Sequence, residues 1–532
     1  MRFSILTSIL SASLLLGGCD GGGGGMVARV GNGAEPKDLD PHITTGVPEH
    51  SIQGTLFNGL TLLDPETLEP EPGAAASWTV SDDKLHYTFK MQPDGKWSNG
   101  DPVTAHDFVY SWTRILSPRL ASDYAYLLHC IQNAKAFNLG EITDFGEVGV
   151  KAADDMTLEV DLEHPTPYFL SMQVHNAWFP VHQPTIEAHG VMDQRGSRWT
   201  RVENFVGNGP FVPVEWSPGE LIRAERNPHY WNAAGVKLDA IEFYPVDDMQ
   251  TEERMFRKGE LHLTETIPLH AIAGYNEENP ELVHLDPWLG TYFYRFNTTR
   301  PPLDDKRVRQ ALSLAIDRDE MAKNVFKGGE PAAKHFTPPG MAGFNAKPRF
   351  EFDVERAKAL LAEAGYPNGE GMETIEILYN TAEQHKTIAE VIQSMWKEHL
   401  GIDVQLLNQD WKVYQDSEKN LNYWTSRAGW IGDFVAPINC LECFLSGGGN
   451  NRTGFANAEY DRLINAAYRE TDTEKRFALL DQAEAIIAEE VPLTPLYFYT
   501  TKYLKAPELK NLPPNIMRYR RWDLAYLESG GE

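Results

Sequence analysis

Arg427-Ala428-Gly429-Trp430-Ile431-Gly432-Asp433 sets a fixed cation and a fixed anion at the two ends of an apolar, glycine-lightened run with strand-like composition. Such a run could receive the two ends of a zwitterion. At ~3.3 Å per extended residue the six steps between the charges span ~20 Å, too far for both to grip one amino acid and better suited to a short extended peptide. The ammonium would sit at Asp433 and the carboxylate would fall toward Arg427, with strand-type hydrogen bonds from the backbone between them. An internal salt bridge within a buried strand is the alternative use of the same two charges.

Two other spacings carry possible chemistry. Ser394-Met395-Trp396-Lys397 matches the S-x-x-K of serine hydrolases that act on peptides or cell-wall precursors. Neither S-D-N nor K-T-G accompanies it, and Ser394 sits mid-helix between core positions, so no catalytic residue is assigned. Cys440-Leu441-Glu442-Cys443 has C-x-x-C spacing, but no second pair and no nearby His supplies four ligands for zinc. With Cys130 these cysteines are odd in number, so the chain body forms at most one disulfide, and this pair is either bridged or buried as thiols. No metal and no cofactor is implied.

The elements that must position these residues alternate along the chain. Leu85 to Met91 reads as a strand, Thr104 opens an aromatic helix through Trp112 with a capping-box-like start, and Thr157 to Leu162 is a further strand. Asp304 precedes a helix carrying Val308, Leu312, Ala315 and Ile316, and Asp353 caps another that stops at Gly365. Ile375 to Tyr379 then leads by strand into a helix with Ile388, Val391, Ile392, Met395 and Trp396 on one face. Strands interleaved with helices imply an α/β protein with covered sheets, and no repeat of solenoid or propeller type is present.

The N-terminus sets the compartment. Met1-Arg2 and the short apolar stretch Phe3 to Leu16 run into Leu16-Gly17-Gly18-Cys19, which is similar to a bacterial lipoprotein signal. Residues 1–18 would be cleaved, Cys19 would carry the lipid, and the glycines within residues 19–26 would form a tether. Asp20 resembles the residue that retains lipoproteins at the inner membrane. The roughly 510 residues that follow suffice for three domain-sized units. The excess of 76 acidic over 48 basic residues, a net charge of −28, disfavours nucleic acid and anionic lipid as partners. Basic blocks are absent apart from Arg518-Tyr519-Arg520-Arg521.

From about Val30 onward the chain resembles the solute-binding lipoproteins of peptide importers driven by ATP-binding cassettes, the oligopeptide-binding family. The carriers include Leu39-Asp40-Pro41-His42, the run from Lys96 to Phe108, Glu225-Arg226-Asn227-Pro228-His229-Tyr230-Trp231, Asp305 to Leu312, Tyr379-Asn380-Thr381, and Arg427 to Asp433. The resemblance implies a two-lobed clamp with an extra domain and a hinge of short crossovers. Lobe I would take residues 27–57, 182–289 and 501–532, the extra domain 58–181, and lobe II 290–500. It also implies a monomer that binds short peptides and hands them to permease subunits, at the extracytoplasmic face, with murein peptides or haem as alternative cargo.

The same resemblance assigns the site. Asp433 matches the carboxylate that meets the peptide ammonium, and Arg427 and His385 match the groups that receive its carboxylate. Trp411 and Trp430 match pocket walls, Thr45-Gly46-Val47 and Gly429 to Ile431 the strands that flank the peptide, and Asn380 belongs to the same constellation. One of Tyr124 and Tyr126 lines the cleft. Three departures alter the pattern: Thr45 replaces a glutamate, Glu418 an arginine, and Phe326 a lysine near the far end of the ligand. Glu418 and Phe326 together imply a preference for peptides of about two to four residues, with Lys327 as a possible substitute cation. Gly290 and Ile431 occupy the positions of a family disulfide, so that staple is missing here.

Overall fold

The computed structural model describes residues 25–326, 328–341 and 343–528. The signal segment with Cys19, and Lys327, lie outside the described residues.

Three sheets organise the chain into a two-lobed α/β fold. The first has the order Val27–Gly31, Ala240–Tyr244, Leu221–Arg226, Phe211–Ser217. The second is an antiparallel sheet in the order Ala75–Val80, His86–Met91, Thr157–Asp161, Val150–Asp154. Five strands form the third, in the order Val404–Gln409, Ile375–Asn380, Thr425–Ile431, Val283–Phe296, Leu493–Leu504. Thr425–Ile431 is therefore the central strand, parallel to Ile375–Asn380 and antiparallel to Val283–Phe296. A strand flanked on both sides has its backbone groups committed to its neighbours, which fixes the side chains it presents.

Local chemistry starts the helices where the sequence places them. Thr104 and Asp107 form a full capping box at the head of Ala105–Leu116, whose inner face buries Phe108, Trp112 and Ile115. Asp353 caps Val354–Glu363 by accepting from the Arg356 amide. The helix expected after Asp304 is Lys306–Leu314, capped by Asp305, whose carboxylate accepts from the Arg307 amide at 2.8 Å. Helix Glu383–Leu400 buries Ile388, Ile392 and Trp396 against the five-stranded sheet's domain. Among the described residues no helix is long and apolar enough to cross a membrane.

Two long strands join the sheets. Val283–Phe296 and Leu493–Leu504 pair along their whole length, with a register shift between Pro287↔Thr500 and Thr291↔Phe498. On one side of the shift Leu263 bridges both Val30 and Lys505, tying the pair to the first sheet. On the other side they are part of the five-stranded sheet. Opposite this junction the second sheet's domain touches the third's, where the rings of Tyr168 and Phe434 stack at 4.3 Å and 9°. The cysteines add no staple: Cys130, Cys440 and Cys443 are all unpaired, the last two buried.

The first and second sheets are locked by one buried ion pair. Arg114, on the capped helix and fully buried, holds Asp40 through Nη1 at 2.9 Å and Nη2 at 2.5 Å, and reaches His42 Nδ1 at 3.0 Å. Burial opposes ionisation of Asp40, but the guanidinium outweighs it and holds the carboxyl below its ordinary range. His42, buried beside the same cation, is pushed down to about 3 and stays neutral. From this anchor the chain is passed on: Thr44 Oγ1 donates to Asp40 O at 3.0 Å, and Gln53 Nε2 donates to Thr44 Oγ1 at 2.8 Å. The Thr45–Val47 segment therefore hangs on Arg114. Arg114→Met should strand Asp40 as a buried lone charge and cost about 3–5 kcal/mol in urea unfolding, and Arg114→Met with Asp40→Asn should regain part of that loss.

Candidate functional site

Between the lobes lies a cavity of about 370 Å³, continued by a second chamber of about 320 Å³; Val47, Glu265, Trp288 and Arg518 line both. Thr45, Gly46, Val47, Tyr124, Ile431 and Asp433 line the first. Gly46 and Val47 do so differently from expectation. They are not a strand: Gly46 is the extended N-cap of helix Val47–Leu56, and Val47, its first residue, is exposed toward the cleft. A Cβ on Gly46 would run into the Glu49 carboxylate, which is held in place by the Lys37 amide at 2.8 Å.

Asp433 closes one end. The Tyr126 hydroxyl donates to its Oδ2 at 3.1 Å, from the second sheet's domain across to the third's. Its own amide donates to Asn439 Oδ1 at 3.2 Å, an oxygen that also receives Trp430 Nε1 at 3.0 Å. Burial pushes the Asp433 carboxyl up to about 6, against the opposing pull of Tyr126 and Asn439. Tyr124 and Tyr126 both serve this end: the first lines the cavity and packs edge-on against His175 at 4.5 Å, the second touches the carboxylate. No cation lies within ion-pair distance of Asp433 among the described residues.

Arg427 sits six residues back, on strand Thr425–Ile431, in a nest of tyrosines. Its guanidinium lies 5.3 Å from the Tyr292 ring centroid, and the Tyr414 hydroxyl donates to its backbone carbonyl. Burial works against its charge, and the hydroxyls of Tyr292, Tyr499 and Tyr414 more than compensate, so its pKa lies above an ordinary arginine's. Its Nε is buried without a partner. The Tyr499 hydroxyl occupies the space a side chain at 429 would need, which is why that position is glycine. His385 Nδ1 lies 3.2 Å from the Tyr292 hydroxyl, and burial together with the Arg427 charge brings the imidazole down to about 3. It is neutral, so of these two groups Arg427 supplies the positive charge. Tyr499 and Gln384, its neighbours, line the second chamber.

Two expectations need correction, those for Glu418 and Phe326. Glu418 does not face a ligand: it is 3% exposed, pairs with Arg295 at 2.8 Å and Arg452 at 3.4 Å, and accepts from Ser426 Oγ at 2.7 Å. Its charge is consumed within the lobe and does not repel an anion in the cleft. Phe326 is likewise a core residue, 3% exposed with its ring 4.6 Å from that of Tyr497. Trp411, 54% exposed, stacks on Tyr414 at 5.6 Å and 19° and lines neither chamber. Asn380 ends its strand with a buried, unpartnered Oδ1. Gly290 and Ile431 are register partners across adjacent strands, with no disulfide between them.

Sequence reasoning missed one whole wall. Met517 to Arg520 and Trp522 line the first chamber with Glu265 and Trp288, and Arg518 pairs with Glu265 at 2.8 Å. The lone basic block in an acidic chain was the available signal. Ser394 is exposed on its helix and Lys397 pairs with Asp403 at 2.6 Å, so the S-x-x-K match builds no nucleophile.

Two lobes joined by long shared strands around a cleft with separated charges define a solute-binding clamp. Residues 69–452 match the bacterial extracellular solute-binding proteins, family 5 Middle, and the chain belongs to this family. It is 37% identical to the oligopeptide-binding protein OppA of Bacillus subtilis, over 96% of each chain, and 37% identical to the periplasmic murein peptide-binding protein MppA of Escherichia coli, over 90% of this chain and 89% of that one. The structure of Haemophilus influenzae OppA in complex with RPPGFSPFR matches with a TM-score of 0.80 at 34% identity, covering 94% of this chain and 99% of that one.

The Asp433 carboxyl titrates higher in the fold than in the unfolded chain, so its stabilising contribution is complete at low pH and lost as pH rises through about 6. Asp433→Asn should therefore melt above the wild type at neutral pH without ligand, by on the order of 2 kcal/mol, with the gap closing toward about pH 4. Thermal melting of both proteins across this range measures it; equal melting at neutral pH would show the carboxylate to be solvated.

Proposed function

We propose that this protein captures short peptides in its closing cleft and delivers them to the permease of an ATP-binding-cassette importer, acting as a binder and not as an enzyme. One observation carries the reading. Arg427 stands on the central strand and Asp433 two residues past its end, both withdrawn from water, and neither is neutralised by a protein counter-charge among the described residues. Leaving lone charges desolvated is costly, so the missing partners belong to the cargo, a zwitterion long enough to reach both. The ammonium goes to Asp433 and the carboxylate to Arg427, with His385 and the tyrosine hydroxyls as neutral hydrogen-bonding groups. The names of the relatives, oligopeptide-binding and murein peptide-binding, agree with such a cargo.

The sheets support the division into lobes. Each of the first two sheets falls entirely within one assigned unit, 27–57 with 182–289 and 501–532 for lobe I and 58–181 for the extra domain. The strands Val283–Phe296 and Leu493–Leu504 cross into 290–500, which makes their register shift the natural hinge. The protein works as a monomer, tethered by a lipid on Cys19 at the outer face of the inner membrane. Mass spectrometry of the mature N-terminus tests the anchor, and an unmodified Cys19 would end that reading.

Length preference still favours about two to four residues, now for a different reason: Lys502 and Arg518, the cations of the second chamber, are already held by Glu330 at 2.9 Å and Glu265 at 2.8 Å and are not free for a more distant carboxylate. Alanine peptides of two to five residues, free and N-acetylated, test both points by calorimetric titration. Acetylation should weaken binding by ~30- to 1000-fold, as should Asp433→Ala, and affinity should fall at five residues. Equal affinity for acetylated and free peptides would remove Asp433 from its role. A murein tripeptide that outcompetes every alanine peptide would move the cargo to cell-wall fragments.

A further inference from the structure

The basic block Arg518 to Arg521 runs along the lobe I wall, and its arginines are not equivalent. Arg521 holds Asp523 through two nitrogens, each at 2.7 Å, and Glu71 at 3.0 Å. Arg518 holds Glu265 and lies 5.1 Å from the Trp288 ring centroid. Arg520 lines the first chamber, yet among the described residues it has no hydrogen bond and no carboxylate within 4.0 Å. Its guanidinium lies over the face of Tyr503, 5.5 Å from the ring centroid.

The acids around Arg520 are already engaged. Glu265 belongs to Arg518, and the Asp286 carboxylate receives the Tyr503 hydroxyl at 2.6 Å. Lys505, which lines the adjoining crevice with Asp286 and Arg520, adds a further positive charge nearby. Burial and the neighbouring Arg518 charge both bear on Arg520, whose pKa lies below an ordinary arginine's. Arg518 is answered by Glu265 and Lys502 by Glu330, whereas Arg520 has only Asp286 near it as an anion without a salt bridge, and that carboxylate lies beyond ion-pair distance and shares its crevice with Lys505. A half-buried guanidinium without a partner keeps its planar fork available to a carboxylate.

We infer that Arg520 is a third charge-recognition point of the cleft, selecting peptides that carry an acidic side chain between their termini. The inference rests on the peptide reading above and adds to it a ligand class. The termini are read on lobe II, by Asp433 and Arg427, whereas this group sits on lobe I. An acidic side chain would therefore be gripped from the opposite wall, and its neutralisation of Arg520 would favour the closed clamp.

The test is a titration of the mature protein with alanine tri- and tetrapeptides in which Glu, or its isostere Gln, replaces each internal residue in turn. At one internal position Glu should bind about tenfold or more tighter than Gln at low salt. In Arg520→Gln the Glu-to-Gln ratio should fall to about one, and in Arg520→Lys it should be partly kept. A ratio near one at every internal position of the wild type overturns the inference, as does a preference that survives in Arg520→Gln. Should Arg520→Gln fail to fold, the wild-type comparison and its loss in high salt decide alone. If neither the Gln peptides nor the all-alanine peptides bind the wild type, the peptide reading itself fails, a result distinct from loss of the Glu preference alone.

Discussion

A charge withdrawn from water needs an opposite charge or a set of hydrogen bonds, and the layout of this molecule follows from where that need is met inside the chain and where it is not. Asp40, Glu418 and Glu330 are buried and answered at once, by Arg114, by Arg295 with Arg452, and by Lys502. These pairs fix the skeleton of the cleft. Asp433 and Arg427 receive only hydroxyls, amides and aromatic faces, which orient them without neutralising them. The distinction separates framework from site, and it depends on burial and partners, not on residue type.

The site strand gains its precision from its place in the middle of a sheet. Arg427 stands opposite Tyr294 and Gly429 opposite Tyr292, so the tyrosines around Arg427 come from the neighbouring strand, from Tyr499 on the strand beyond it, and from Tyr414 on helix Trp411–Lys419. Tyr499 reaches the guanidinium because position 429 lacks a side chain. Glycine here makes room for a hydroxyl and not only for a passing ligand. Asp433, two residues past the strand, is reached instead from another domain, through Tyr126. This contact crosses from one domain to another, as does the Tyr168 and Phe434 stack.

Much of this was legible in the chain itself. Period and caps placed the strand at His86–Met91, the helix at Ala105–Leu116 and the helix at Val354–Glu363, because those signals are local. The spacing of Arg427 and Asp433 on an extended run was equally local, and the apolar residues between them argued for a strand. What the chain could not declare was which charges find partners. Glu418 and Arg295 are far apart in sequence, and so are Asp40 and Arg114, Arg518 and Glu265, Lys502 and Glu330. Only tertiary structure brings them within reach. It turned Glu418 from a presumed cleft residue into a framework anion, buried Phe326 in the core, and exposed Arg520, an unremarkable member of a basic run, as a cation without a counter-charge. The reason is physical: propensity and period act over a few residues, whereas desolvation and Coulomb attraction act on whatever the fold has made adjacent.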